Sequence, residues 1–308
     1  MKAARARLLA ACALTAAAAG CAATGPRPAA PPDPATVPAP RAYRAPYAAK
    51  PPVLDGRLDD AAWAQAPWTE DFVDIEGPSK PAPAYRTRVR MLWDERFLYI
   101  GAELADPHVW GTLRTHDEIV FHDNDFEVFI DPDGDGREYY ELEVNALGTV
   151  FDLFLQRTYR AGGPAIHAWD AKGLVTRIGV QGTLGDPRDT DTGWTVEWAI
   201  PWSALQPPRD AKIDALPADQ RDFGDARRAG AAPAPGAVWR INFSRVQWRH
   251  NHEQLDAQGR RTGAAPPDAG AAPYAMRAGL AEDNWVWSPQ WVVDMHLPQF
   301  WGTVRFER

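Results

Sequence analysis

The sequence predicts an all-β protein folded as an antiparallel β-sandwich, with long loop insertions and one or two short helices. Three observations carry that expectation. Apolar residues recur with period two in many short runs, clusters of Gly, Asp, Asn and Pro separate the runs, and no long stretch repeats with helical period. Many short strands with turn signals and almost no helix is the pattern of two packed antiparallel sheets.

The clearest alternation lies within 121–156. Phe126, Val128 and Ile130 fall on one face of a strand, and Glu127, Phe129 and Asp131 on the other. Asp133-Gly134-Asp135-Gly136 then breaks the run with residues that tolerate positive φ, as a hairpin requires. A second strand from Tyr139 to Val144 opposes Tyr140, Leu142 and Val144 to Tyr139, Glu141 and Glu143, and a third from Thr149 to Leu155 completes a meander.

Upstream, Pro51 to Leu58 reads as a short strand and turn. Asp59 offers an N-cap to a short helix over Asp60–Ala66 that buries Trp63 and stops before Pro67. Thr87–Trp93 and Phe97–Leu104 form a hairpin about Asp94-Glu95-Arg96. Further strands are expected at Leu174–Gln181, Trp194–Ile200, Trp239–Trp248 and Gly302–Phe306, with one helical turn at Pro201–Leu205. Residues 206–237 and 256–281 are Ala-, Pro-, Gly- and Asp-rich and aperiodic, and read as surface insertions because strand patterns resume after each.

The first fifty residues read differently. Lys2, Arg5 and Arg7 precede an apolar run from Leu8 to Ala19 that is too short to span a bilayer, which is the form of an export signal over residues 1–20. Ala18-Ala19-Gly20-Cys21 resembles a bacterial lipoprotein cleavage box, with Cys21 the lipidated residue; an ordinary signal cut near Ala23 is the alternative. The expectation is an exported protein lipid-anchored at the cell envelope, on the outer membrane, or else periplasmic or secreted. Residues 21–50 are expected to form a Pro/Ala-rich spacer and 51–308 one folded domain.

Charge and cysteine content exclude several functions. Loss of Lys2, Arg5 and Arg7 takes the formal charge from −8 to −11, and no basic face suggests nucleic acid. Of two cysteines, Cys12 lies in the expected signal, so an internal disulfide, a cysteine nucleophile and a thiolate metal cluster are ruled out. Ser203 and Ser244 lack the glycine elbow of a nucleophile. The seven histidines show no zinc-type helical pair.

Successive blocks of the chain resemble family 9 carbohydrate-binding modules. They begin at Leu54-Asp55-Gly56 with Asp59-Asp60-Ala61-Ala62-Trp63 and run through Val89–Asp94, Phe97–Ile100, Asp125–Asp131, Trp194–Glu197, Ile200-Pro201-Trp202 and Trp239–Arg245. Asn284–Pro289 and Trp301–Phe306 are similar to a stand-alone, exported subgroup called family-9-like. The resemblance implies a jelly-roll/DOMON-like sandwich that grips glycan chain ends between two tryptophans, with polar side chains on the sugar hydroxyls and structural calcium. It places Glu127 and Asn145 at the polar contacts. The clamp positions fall at Phe121 and near Met295, where this sequence departs from the tryptophan pattern.

On this reading the protein binds an oligo- or polysaccharide and supports glycan capture or carbohydrate catabolism without itself doing chemistry or requiring a cofactor. Of 14 tryptophans, Trp63, Trp93, Trp198 and Trp239 sit in strand or helix patterns and read as core, whereas Trp110, Trp285, Trp287 and Trp291 lie in irregular segments and are stacking candidates. Arg245 joins the candidate contacts and is also expected to be partly buried against an acid of the meander. Alternation lets Glu127, Glu141, Glu143 and Asn145 share one sheet face, read as a solvated or hydroxyl-binding surface. Asp131, Asp133 and Asp135 imitate the start of a calcium loop, but Leu142 occupies the position of its final carboxylate, which favours a plain hairpin with calcium as the alternative. Two other functions compete: a glycoside hydrolase using Glu127 and a second meander carboxylate, and a haem-binding electron-transfer sandwich using Met295-His296.

Overall fold

The computed structural model describes residues 29–208, 230–255, 261–264 and 274–308, with Ala215, Pro217 and Gln258 between them. The expected signal, Cys21 and most of the two insertions lie outside the described residues. In chain order the strands are β1 (Ala42–Pro46), β2 (Val73–Asp74), β3 (Thr87–Trp93), β4 (Phe97–Ala105), β5 (Asp125–Asp131), β6 (Arg137–Asn145), β7 (Val150–Arg157) and β8 (Ala165–Ile166). They continue with β9 (Val175–Gln181), β10 (Gly193–Pro201), β11 (Val238–Gln247), β12 (Glu253–Leu255), β13 (Arg261–Ala264), β14 (Asp283–Val286) and β15 (Gly302–Glu307). Among the described residues no helix is long and apolar enough to cross a membrane.

Two sheets face each other. The larger runs β1-β15-β11-β5-β6-β7-β8, with β14 branching from β11 and carrying β2; the smaller runs β3-β4-β10-β9. Between them pack Phe126, Val128 and Ile130 of β5, Tyr140, Leu142 and Val144 of β6, and Val89, Met91, Ile100, Val196 and Trp198 of the smaller sheet. Burying each large apolar side chain contributes roughly 1.5–3 kcal/mol, so this interface is the chief source of stability. The antiparallel sandwich and its central meander follow the sequence pattern closely.

Several elements differ from expectation. Ala42–Pro46, expected as spacer, form β1 and pair in parallel with β15, so the sheet begins before residue 51. The short helix over 60–66 contracts to a 3-10 turn at Trp63–Gln65 with Ala62 at its N-cap, and Asp60, not Asp59, holds the approach by accepting from the Ala62 amide at 2.7 Å. Pro201–Leu205 holds a similar turn at Trp202–Ala204. Pro51–Leu58 forms no strand; its Asp55-Gly56 turn is instead held by Glu197 of β10, which accepts from both amides at 2.8 and 2.6 Å and from Trp63 Nε1 at 2.7 Å.

The outer face of the meander is covered. Ile75, Val120, Phe129, Tyr139, Phe151, Leu153, Leu155, Val286, Met295 and Trp301 form a second apolar cluster there. Its cover comes from the short turn at Val120–His122 and from the segment leading to β15. Consequently every residue of β5 is buried, and the face expected to be solvated is not.

Candidate functional site

A cleft of about 360 Å³ opens on this covered face. Its floor is built by register: Glu127 of β5 stands opposite Glu143 of β6, and Phe129 opposite Glu141. Asp125 lies on the same face, opposite Asn145. Phe151 and Leu153 of β7 extend the floor opposite Glu143 and Glu141. The walls include Ile119 and Phe121 on one side, Val293, Met295 and His296 on another, and Tyr159. Phe121 is 38% and Tyr159 48% exposed, so both offer accessible aromatic surface.

Burial dominates the electrostatics. Removal from water pushes the Glu127 carboxyl up to about 7, and it holds Glu141 and Glu143 well above the usual carboxylate range, the charge on Glu127 raising both further. Asp125 is raised in the same way, by burial and then by Glu127. Near neutral pH the floor therefore retains protons and presents both hydroxyl donors and carboxylate acceptors. Glu143 Oε2 accepts from the Phe121 amide at 3.1 Å. Glu141 Oε2 has no hydrogen-bond partner, His296 Nε2 standing 3.9 Å away. His296 Nδ1 lies 2.9 Å from the Tyr139 hydroxyl, and burial lowers the imidazole to about 4, so it is neutral at physiological pH.

Of the residues singled out in the sequence, Phe121 and Glu127 line this cleft, together with Met295 and His296. Asn145 does not. Its Nδ2 donates to Leu113 O and Asp123 Oδ2, both at 2.9 Å, and its Oδ1 accepts from the Leu147 and Thr149 amides at 3.0 and 3.1 Å. The side chain fastens the β6–β7 turn and has no capacity left for a sugar.

Arg245, Trp285 and Trp287 point the other way, into the sandwich. Arg245 alternates with Ser244 and Val246 and so shares the inner face with Phe243. It pairs with Asp106 at 3.1 Å, at the end of β4, and not with an acid of the meander. Trp285 and Trp287 are buried in the main core. Trp110 is also buried, stacked on Tyr274 with ring centroids 5.4 Å apart, away from the cleft. Trp291 packs over Gly77, beside a separate groove. None of these four tryptophans serves the cleft.

The Asp131–Gly136 segment is a hairpin turn, with Gly134 and Gly136 at φ +72° and +78°. Asp131 accepts from the Gly134 amide at 3.0 Å and the Gly136 amide at 2.9 Å. Asp131, Asp133 and Asp135 each bring an oxygen within 4.8 Å of the others, an all-oxygen set of the kind calcium takes. Leu142 faces the core and supplies no further ligand there.

Sequence reasoning missed Ile119, Tyr159 and Val293, which sit in loops without periodicity. Their only signal is proximity in the chain to elements that cover the meander.

A family model described as carbohydrate family 9 binding domain-like matches residues 54–232. Among curated proteins, exoglucanase XynX of Acetivibrio thermocellus is 23% identical over 154 residues, 50% of this chain and 12% of that enzyme. Endo-1,4-beta-xylanase A of Thermoanaerobacterium saccharolyticum is 26% identical over 156 residues, 51% of this chain and 11% of its own length. The matched stretch is thus about a ninth to an eighth of these relatives. A solved structure of a putative carbohydrate-binding protein from Bacteroides uniformis shares the fold, with TM-score 0.54 and 16% identity over 87% of this chain and 99% of that one. With the family model covering more than half of its residues, this chain belongs to the carbohydrate family 9 binding domain-like family.

Proposed function

We propose that the cleft on the outer face of the meander binds an oligo- or polysaccharide, and that the protein captures glycan without transforming it. The observation that carries this reading is the meeting of Phe121, Glu127 and Met295 around one cleft, since Met295 is distant in sequence from the other two and all three are positions the family resemblance assigns to sugar contact. Phe121 and Tyr159 supply apolar faces for a pyranose ring, and the partly protonated carboxyls supply donors and acceptors for its hydroxyls. An open cleft desolvates a ligand incompletely, so affinity is modest.

The curated relatives are named for action on glucan and xylan, which makes cello- and xylo-oligosaccharides the first probes. A glycan array containing both, followed by calorimetry on the strongest hit, is expected to show binding that Glu127→Gln weakens. Absence of binding to every carbohydrate, with and without calcium, overturns the proposal. One observation favours a hydrolase as the second reading: Glu127 is raised to about 7, the range of a general acid, and a second carboxyl, Glu143, stands beside it. Release of reducing sugar by the unaltered chain, lost in Glu127→Gln, would establish it.

The proposal extends to location and to calcium. Lipidation at Cys21 would hold the protein at the cell envelope; a Cys21→Ser chain is then recovered in the soluble fraction. A structural calcium at Asp131, Asp133 and Asp135 would add to a turn already closed by its own hydrogen bonds, and chelation would lower the melting temperature.

A further inference from the structure

Away from the cleft, His116, Asp117, Asp152 and Asp170 each bring one ligand-type atom within 4.8 Å of the others. Three segments meet there: the β4–β5 loop with His116 and Asp117, strand β7 with Asp152, and the loop after β8 with Asp170. Backbone contacts hold them together. Val150 O accepts from the Asp117 amide at 3.1 Å, and Asp152 Oδ2 accepts from the Ala171 amide at 3.0 Å.

The geometry around His116 accommodates a ligand, and a second observation points to one. His116 Nδ1 lies 3.0 Å from the Val150 carbonyl. A carbonyl only accepts, so Nδ1 carries the hydrogen, and a neutral ring then presents a lone pair at Nε2. That Nε2 faces Asp117 Oδ1 at 3.4 Å and Asp170 Oδ1 at 3.6 Å. A lone pair between two carboxylate oxygens is repulsive unless a proton or a metal ion stands among them. The second observation is Asp152, which is 2% exposed and whose Oδ1 has no hydrogen-bond partner. An unsatisfied buried acceptor costs about 1–3 kcal/mol, and a coordinated cation removes that cost.

The donor set selects the ion. Calcium takes oxygen ligands, whereas one imidazole nitrogen among carboxylates suits zinc and its first-row neighbours. An Nδ1–H bound to a backbone carbonyl is the arrangement that fixes the tautomer and orients Nε2 toward a metal. Side-chain exposures of 53% for His116 and 26% for Asp170 leave a path for entry. We propose that His116, Asp117, Asp152 and Asp170 form a binding site for a divalent transition-metal ion. The bound ion clips the β4–β5 loop to β7, and that loop continues into Ile119 and Phe121 at the cleft.

Calorimetric titration of the full chain at pH 7 with zinc chloride, and in parallel with calcium chloride, tests this site. Zinc is expected to bind more tightly than calcium. His116→Ala and Asp152→Asn are each expected to weaken zinc binding at least about tenfold, while Glu95→Gln at the exposed β3–β4 turn leaves it unchanged. Any background from Cys12 and Cys21 is common to all variants. Asp152→Asn also touches the Ala171 contact, so thermal melting monitors its fold; the half-exposed His116 gives the cleaner test. Nitrogen NMR of the His116 ring adds a direct readout: zinc is expected to shift Nε2 to a metal-bound signal. Equal zinc affinity in His116→Ala, equal preference for calcium, or an Nε2 that stays protonated when zinc is added would each overturn the proposal.

Discussion

The Phe121 amide donates to Glu143 Oε2 at 3.1 Å, which fastens the aromatic wall of the cleft to its acidic floor. On the other side of the same residue, Trp248 Nε1 donates to Phe121 O at 2.7 Å. The backbone of Phe121 is thus fixed from two directions while its ring remains 38% exposed. A side chain presented in that way is placed for contact with a ligand and contributes little to folding.

Phe121→Ala should therefore separate binding from stability. Losing the ring removes stacking and apolar contact worth about 0.5–1.5 kcal/mol, so affinity for the best glycan should fall up to about tenfold. The melting temperature should change little. Calorimetry and a thermal melt on the same sample check both halves. A large fall in melting temperature would show instead that the ring is part of the cover over the second apolar cluster.

The carboxyl floor makes stability depend on pH. Glu127 is raised from 4.5 to about 7 by burial, so the folded state holds a proton that the unfolded state releases. Its contribution is present below pH 4.5 and is lost as pH rises to about 7. His296, lowered to about 4 by burial, acts in the opposite sense over an overlapping range, so the unaltered protein alone does not isolate the effect. The comparison with Glu127→Gln cancels His296 and reports Glu127 together with Asp125, Glu141 and Glu143, which its charge raises. Between pH 4.5 and 7.5 the difference in unfolding free energy should move in favour of the variant by at least about 3 kcal/mol, at about 1.4 kcal/mol per pKa unit for Glu127 and more where its neighbours are relieved. Urea unfolding at several pH values measures it; a difference independent of pH would show that Glu127 titrates normally.

How far the sequence foretold this molecule depends on what each signal can report. Period two located β3, β4, β5, β6, β7, β9, β10, β11 and β15, because alternation is imposed by the core they bury. It missed β1, whose Ala42-Tyr-Arg-Ala-Pro46 carries little apolar alternation and is held by parallel pairing with β15. Alternation also does not reveal what lies over an outer face. Glu127, Glu141 and Glu143 looked solvated because Ile75, Val120 and Met295, which cover that face, come from aperiodic loops. Trp285 and Trp287 looked available for the same reason, although pairing of β14 with β11 turns them inward. Phe121, Glu127 and Met295, which line one cleft, were singled out through family resemblance rather than periodicity.

Glu197 explains why Leu54-Asp55-Gly56, Trp63 and Glu197 appear together in the sequence blocks. The carboxylate accepts from the Asp55 amide, the Gly56 amide and Trp63 Nε1. It binds the chain entry to the outer face of the smaller sheet, far from the cleft. Glu197→Ala leaves these donors without an acceptor, at about 1–3 kcal/mol for each that stays buried. Stability should fall by about 3 kcal/mol or more, measured by urea unfolding, while Glu197→Gln, which keeps an acceptor, should lose less. Equal losses in the two variants would place the effect in the charge rather than in the acceptor.

Arg245 supplies the sharpest distinction between a ligand contact and a structural one. Its Nη2 meets Asp106 at 3.1 Å, Nη1 donates to Ala105 O at 2.8 Å and Thr87 Oγ1 at 3.1 Å, and Nε donates to Gln247 Oε1 at 2.9 Å. These contacts join β11 of the larger sheet to β3 and the end of β4 in the smaller one, with both charges buried. Arg245→Met should therefore destabilise by about 3–5 kcal/mol, chiefly because Asp106 is left buried and unpaired. Adding Asp106→Leu should recover part of that loss, since replacing a whole buried pair by apolar residues is often near neutral. Glycan affinity of the folded double variant should match that of the unaltered chain, because the guanidinium lies on the opposite face of the sheet from Glu127. Loss of affinity without loss of stability would return Arg245 to the binding site.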